Sequence, residues 1–172
     1  METSFETERL LLRPRTLDDL EACLAMDRDP EIVRFIPGPW NDPEKHRAFV
    51  NDRITADYRP GFGYWSVFEK SQPDTFVGWI LLLHENDQWQ DAEIGWRFLR
   101  RCWGEGYATE AARAICEHAF QAVGITSLYA DIDARNVGSV RVAEKLGMTH
   151  ETSHPKTDPD SLFYRINVSD NL

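Results

Sequence analysis

The sequence predicts a single domain of the α+β class, with strands and helices mixed along the chain. Two β-rich runs, Tyr64 to Phe68 and Thr75 to Leu83, are separated by the turn-forming SQPD and read as an antiparallel hairpin. Between Glu105 and Val123, the small and apolar residues Ala108, Ala111, Ala112, Ile115, Cys116, Ala119, Phe120 and Val123 recur at helical spacing. A length of 172 residues, 42% of them hydrophobic, supports one core without division, and no repeat or Gly/Ser-rich linker interrupts it. The domain is therefore drawn over residues 1–172.

Leu10 to Arg13 is a short strand stopped by Pro14. Thr16 then caps a helix from Leu17 to about Asp29, with acids in its first turn and Pro30 ending it. FIPGPW, residues 35–40, is a loop, and Asp42 with Pro43 starts a second helix reaching about Tyr58. After the hairpin, a turn from Glu85 to Gln90 leads to a third β-rich run, Ala92 to Leu99. The long amphipathic helix closes at Gly124. Leu128 to Ile132 is a strand, Val137 to Leu146 a short helix closed by Gly147, and Leu162 to Val168 the last strand.

Charge and composition exclude several classes. A net charge of -10 argues against nucleic acid as a partner, because backbone phosphates demand clustered Lys and Arg. The longest apolar run, Val77 to Leu83, is too short to span a membrane, and METSFETERL lacks a signal-peptide pattern. Three cysteines without C-x-x-C spacing suit reduced thiols, and the five histidines, His84 and His118 among them, show no metal-ligand spacing, so no metal is expected. These features imply a cytoplasmic protein.

Residues 96–108, WRFLRRCWGEGYA, place a strand, a glycine-punctuated turn and a helix start in succession. The first turn of a helix offers unpaired N–H groups and a positive dipole end, and glycines let the backbone approach a phosphate closely. Arg97, Arg100 and Arg101 against Glu105 make the stretch locally basic in an acidic chain. The P-loop pattern is absent, and the dinucleotide fingerprint fails where Thr109 replaces its third glycine.

AEIGW at 92–96, WGEGYATEA at 103–111, the N-x-x-S of Asn136 and Ser139, EKLGM at 144–148 and the opening TERLLLR at 7–13 together resemble the GNAT acetyltransferase superfamily. The branch they resemble is that of ribosomal-protein N-terminal acetyltransferases, and the likeness covers nearly the whole chain. It implies a central, mostly antiparallel sheet splayed near its middle and flanked by about four helices. It also implies acetyl-coenzyme A as co-substrate, an amine acceptor and, as a possible assembly, a homodimer.

By this resemblance Arg101, Gly104 and Gly106 fill the family's Q/R-x-x-G-x-G/A pattern, so that main-chain amides from Trp103 through Glu105, Tyr107, Ala108 and Thr109 hold the coenzyme diphosphate. Main-chain groups near Trp96 and Phe98 would pair with the pantetheine arm, bordered by Leu99, while Asn136 contacts its amides or serves as a helix cap. A primary amine is mostly protonated at neutral pH, so a base or water chain is required. Glu93 is its first candidate, with Glu85 and Asp91 behind it. The family tyrosine that protonates the leaving thiolate corresponds to Ala143, so Ser139 is read as the group facing the sulfur, and Tyr164 as a distant substitute. Glu110 is read as structural, and Cys102 lacks the partners of an activated nucleophile, which favours direct attack. Phe35, Pro37 and Trp40 are expected to wall the acceptor site, and Trp65 to be either wall or core. The acceptor is a peptide N-terminal amine, or alternatively a small amine such as a polyamine, amino acid or aminoglycoside; a non-catalytic acyl-coenzyme A binding module is the remaining alternative.

Overall fold

The computed structural model describes residues 3–84, 90–152 and 160–171. Its framework is one sheet of eight strands: β1 (Phe5–Glu6), β2 (Leu10–Pro14), β3 (Gly63–Glu69), β4 (Gln72–Leu83), β5 (Asp91–Phe98), β6 (Ser127–Asp133), β7 (Thr149–His150) and β8 (Ser161–Asn167). They lie in the order β1-β2-β3-β4-β5-β6-β8-β7, and every neighbouring pair is antiparallel except β5 and β6. This is the mixed, mostly antiparallel sheet expected.

Among the described residues five helices accompany it: α1 (Leu20–Asp27), α2 (Pro30–Val33), α3 (Pro43–Thr55), α4 (Tyr107–His118) and α5 (Val137–Lys145). The expected four become five because Pro30 starts a helix instead of merely ending one. Asp29 accepts from the Glu31 N–H at 3.0 Å, with Pro30 at the first helical position, the same arrangement that Asp42 and Pro43 make for α3. Before α1 the chain makes a 3₁₀ turn, Leu17–Asp19, in which the Asp19 carboxylate accepts from the Thr16 N–H at 3.0 Å. The hairpin is tighter than SQPD implied, since Gln72, Pro73 and Asp74 belong to β4 and a bulge near Phe68 absorbs the register shift. α3 stops at Thr55 rather than Tyr58, and a π turn, Ala119–Val123, replaces the last turn of the long helix.

The alternation of β3 and β4 builds two cores, one on each sheet face. Val67, Val77, Ile80 and Leu82 meet Ala111, Ala112 and Ile115 of α4. Tyr64, Phe76, Trp79 and Leu81 meet Leu24, Met26 and Val50 of α1 and α3. Both faces of these strands are therefore buried, which is why they read as unbroken apolar runs.

β5 and β6 pair only where Asp91, Ala92 and Glu93 face Ser127, Leu128 and Tyr129. Past Glu93, β5 stays with β4 while β6 stays with β8, so the sheet opens into a wedge. At the closed end Arg165 binds Asp91 at 2.8 Å and Glu151 at 2.6 Å, and also bonds Ser127, tying β5, β6 and β8 together. Among the described residues no helix is long and apolar enough to cross a membrane.

Candidate active site

A cavity of about 630 Å³ opens from the wedge, bounded by α2, the end of β5, the turn before α4 and the starts of α4 and α5. The local sequence explains its floor. The Leu99 N–H donates to the Val77 carbonyl at 2.9 Å, so ladder alternation points the main-chain groups of Trp96 and Phe98 away from β4 and into the gap. The Phe98 carbonyl accepts from the Trp103 indole at 3.0 Å.

Beyond β5 a 3₁₀ turn, Arg100–Cys102, leads to Gly104 and Gly106, both at φ +80°, a left-handed conformation that strains any residue with a Cβ. Gly106 is the N-cap of α4 and offers no side-chain cap, so the first-turn amides of Tyr107, Ala108 and Thr109 lie beside the cavity without one. A Cβ on Gly104 would meet no protein atom within 4 Å. The turn is thus shaped by backbone conformation, and the space that a side chain on Gly104 would fill is open.

The cavity brings together most of the residues singled out in the sequence: Phe35, Trp96, Phe98, Trp103, Gly104, Gly106, Tyr107, Ala108, Thr109, Asn136 and Ser139. Asn136 is the N-cap of α5, its side chain accepting from the Ser139 N–H at 3.2 Å, and it also lines the cavity. The Ser139 hydroxyl accepts from the Trp96 indole at 3.3 Å, a bond that crosses the wedge from β5 to α5.

Other candidates lie elsewhere. The Arg101 guanidinium turns to the Phe76 carbonyl at 3.2 Å and to Glu69, so its side chain braces the turn from behind. Leu99 packs between the two cores, and the Glu105 side chain does not line the cavity. Trp65 is core: it is 3% exposed, donates to the Thr3 carbonyl at 2.8 Å and packs on Phe5 and His118. Trp40 does not reach the lining; its indole donates to the Ile36 carbonyl at 2.7 Å and its ring meets His46 and Phe49, so it supports the α2 loop from beneath. Tyr164 is buried beside His150, away from the cavity, and burial raises its phenol above the ordinary value.

Glu93 sits on β5 at the last pair before the strands part, opposite Tyr129, and its side chain is not in the cavity lining. Asp91 is held by Arg165. Glu85 lies outside the described residues. Glu110 has the structural role expected. Burial alone would raise its carboxyl, yet Thr7 at 2.6 Å and Arg9 through N–H and Nε at 2.8 and 2.7 Å hold it below its usual range, tying the turn between β1 and β2 to α4. Burial raises the Cys102 thiol, which opposes thiolate formation and a covalent route. Among the described residues no cluster of three or more metal-ligating side chains occurs.

Sequence reasoning missed the cations of the second jaw. Arg135, Arg141 and Lys145 line the cavity with Arg34 and Arg97, against one lining carboxylate among the described residues, Glu31. Arg135 is paired with Asp133, whose carboxyl it holds down at about 2, and Arg97 with buried Asp27 at 2.7 Å. Arg141 and Lys145 carry no ion pair among the described residues. Their four-residue spacing on the helix after N-x-x-S was the available signal.

A sequence model of the acetyltransferase (GNAT) domain matches residues 9–149. The chain belongs to the GNAT acetyltransferase family. This GNAT protein is 32% identical over 166 residues to the uncharacterized protein YkkB of Bacillus subtilis, covering 94% of each chain. It is 30% identical over 165 residues to an FsC-acetyl coenzyme A-N(2)-transacetylase of Aspergillus fumigatus, covering 90% of this chain and 69% of that one. A solved GNAT-family acetyltransferase from Bacillus anthracis superposes with a TM-score of 0.82 at 28% identity, over 99% of this chain and 100% of the other. The GNAT protein is accordingly an N-acetyltransferase that uses acetyl-coenzyme A as co-substrate.

Proposed function

We propose that the acceptor is a single primary amine, foremost the α-amine at the N-terminus of a protein or peptide. The observation that carries this reading is the charge of the cavity: among the described residues its one lining carboxylate, Glu31, lies 3.6 Å from Arg34, Arg97 and Arg135 are paired with Asp27 and Asp133, and Arg141 and Lys145 carry no ion pair. A polyamine would bring further cations into a wall whose described residues leave no unpaired carboxylate to match them. An α-amine brings one charge, and its pKa of roughly 8 lets it lose that proton more readily than a lysine amine at about 10.4.

In this reading the amides from Trp103 to Thr109 hold the diphosphate, with Arg141 and Lys145 adding attraction from α5. Main-chain groups of Trp96 and Phe98 align the pantetheine arm along the open edge of β5. Phe35 flanks the acceptor. The amine nitrogen attacks the thioester carbonyl carbon directly, the new C–N bond replaces the C–S bond, and the amine's proton leaves through Glu93 or a water chain reaching it. The three described cysteines are free and buried, which suits a reducing compartment such as the cytoplasm.

Free thiol release from acetyl-coenzyme A tests the acceptor, with seryl- and alanyl-headed peptides, glycine, lysine and spermidine compared at equal concentration. The peptides are expected to give the highest kcat/KM and spermidine the lowest. Spermidine as the best substrate would overturn the reading, and coenzyme binding without turnover on any amine would make the chain a binding module.

A further inference from the structure

The bond between Trp96 and Ser139 joins the two jaws of the wedge, and its direction is fixed by chemistry. An indole N–H donates and never accepts, so Ser139 Oγ must be the acceptor in this 3.3 Å contact. A serine hydroxyl that accepts still has its own proton to give. In a helix that proton commonly bonds back to a carbonyl one turn earlier, but Ser139 makes no such bond; among the described residues Trp96 is the hydroxyl's one hydrogen-bond partner. The helix-start role of the residue is met by its backbone, since Asn136 takes the Ser139 N–H at 3.2 Å. The hydroxyl proton is thus left over, on a residue that lines the cavity beside Trp96.

We infer that the Trp96 side chain is a positioning residue: by occupying one lone pair of Ser139 Oγ, it turns the Ser139 O–H toward the coenzyme sulfur. Ala143, fully buried one turn below Ser139, presents no hydroxyl that competes for this place. When the amine attacks and the C–S bond breaks, the electron pair leaves with sulfur. The Ser139 O–H donates a hydrogen bond to that thiolate, which takes up a proton equivalent to the one the amine lost, so the products are the amide and free thiol. The indole also polarises the hydroxyl it bonds, which strengthens the donor. This rests on the acetyl-transfer reading of the cavity and assigns a task to the Trp96 indole beyond main-chain pairing.

The test is the thiol pKa of bound coenzyme A, read by thiolate absorbance near 240 nm as pH is varied, in wild type, Trp96→Phe, Ser139→Ala and the double variant. Ser139→Thr serves as the conservative rescue, and the coenzyme dissociation constant is measured alongside. In wild type the bound thiol is expected to titrate below free coenzyme. Trp96→Phe and Ser139→Ala are each expected to raise it by about one unit, tenfold in the thiol equilibrium, with affinity changed less than about threefold. The double variant should shift no further than Ser139→Ala alone, and Ser139→Thr should retain the wild-type value. A Trp96→Phe protein that titrates like wild type, or one whose shift adds to that of Ser139→Ala, overturns the inference. An unshifted thiol in Ser139→Ala overturns it whatever Trp96→Phe does. Failure of wild type to bind coenzyme A would instead refute the cavity assignment.

Discussion

Gly104→Ala separates the conformational task of the turn from its binding task. At φ +80° an alanine costs about 1–2 kcal/mol relative to glycine. The new Cβ meets no protein atom within 4 Å, so no clash adds to that cost. For a domain of this size each kcal/mol moves Tm by about 2–4 °C, which predicts a fall of roughly 2–8 °C. Gly124→Ala is the matched control: φ is +82°, nothing lies within 4 Å, and the residue follows the π turn at the far end of α4. The two variants should lose similar stability. They should differ when acetyl-coenzyme A is added. At about 100 times its dissociation constant a ligand adds about 2.7 kcal/mol, roughly 5–11 °C in Tm, and Gly124→Ala should keep that rise. If the diphosphate rests on this turn as proposed, a methyl group at Gly104, which lines the cavity, should crowd it. A site weakened a hundredfold retains about 0.4 kcal/mol at the same concentration, or roughly 1–2 °C. Differential scanning fluorimetry reads both numbers. If Gly104→Ala keeps the full ligand-induced rise, the diphosphate does not rest on this turn.

Glu93→Gln should leave the acetyl-coenzyme A thermal shift intact and slow turnover by about 100-fold at pH 7, as measured by thiol release, because an amide cannot accept the amine's proton. Unchanged kcat would transfer that role to water alone. Glu110→Gln should destabilise the fold by about 1–2 kcal/mol at pH 7 in urea titrations, since Arg9 and Thr7 lose an anionic acceptor. The folded carboxyl lies below its ordinary value, so its contribution is present above the unfolded pKa of about 4.3 and disappears as pH falls through the folded one. The gap between wild type and Glu110→Gln should therefore narrow as pH falls below the ordinary carboxyl range, and a gap that does not narrow would mean the carboxylate charge is not what holds the β1–β2 turn to α4.

The sequence by itself determined the features that depend on neighbours along the chain. The periodicity of Ala108 through Val123 specified the face that α4 buries, and the β-rich runs Tyr64 to Phe68 and Thr75 to Leu83 specified the hairpin of β3 and β4. Gly104 and Gly106 specified a left-handed turn, because few other residues tolerate that backbone. The Asp29–Pro30 cap is written in the chain as plainly as Asp42–Pro43, but a proline after a helical run reads equally as a stop, and only the structure shows that it starts α2. The tertiary structure decided everything that depends on how elements cross. The point at which β5 leaves β6, and hence the wedge, follows from β5–β6 pairings 36 residues apart, which no local pattern encodes. The same packing sent Trp65 into the core, turned Arg101 outward behind its turn and placed Trp40 under the α2 loop. It also brought Arg141 and Lys145 to the cavity that the glycine turn lines and the Trp96 indole to Ser139 from 43 residues away. Residue type limits which of these contacts a side chain can make, but only the meeting of two faces of the fold selects the one it does make.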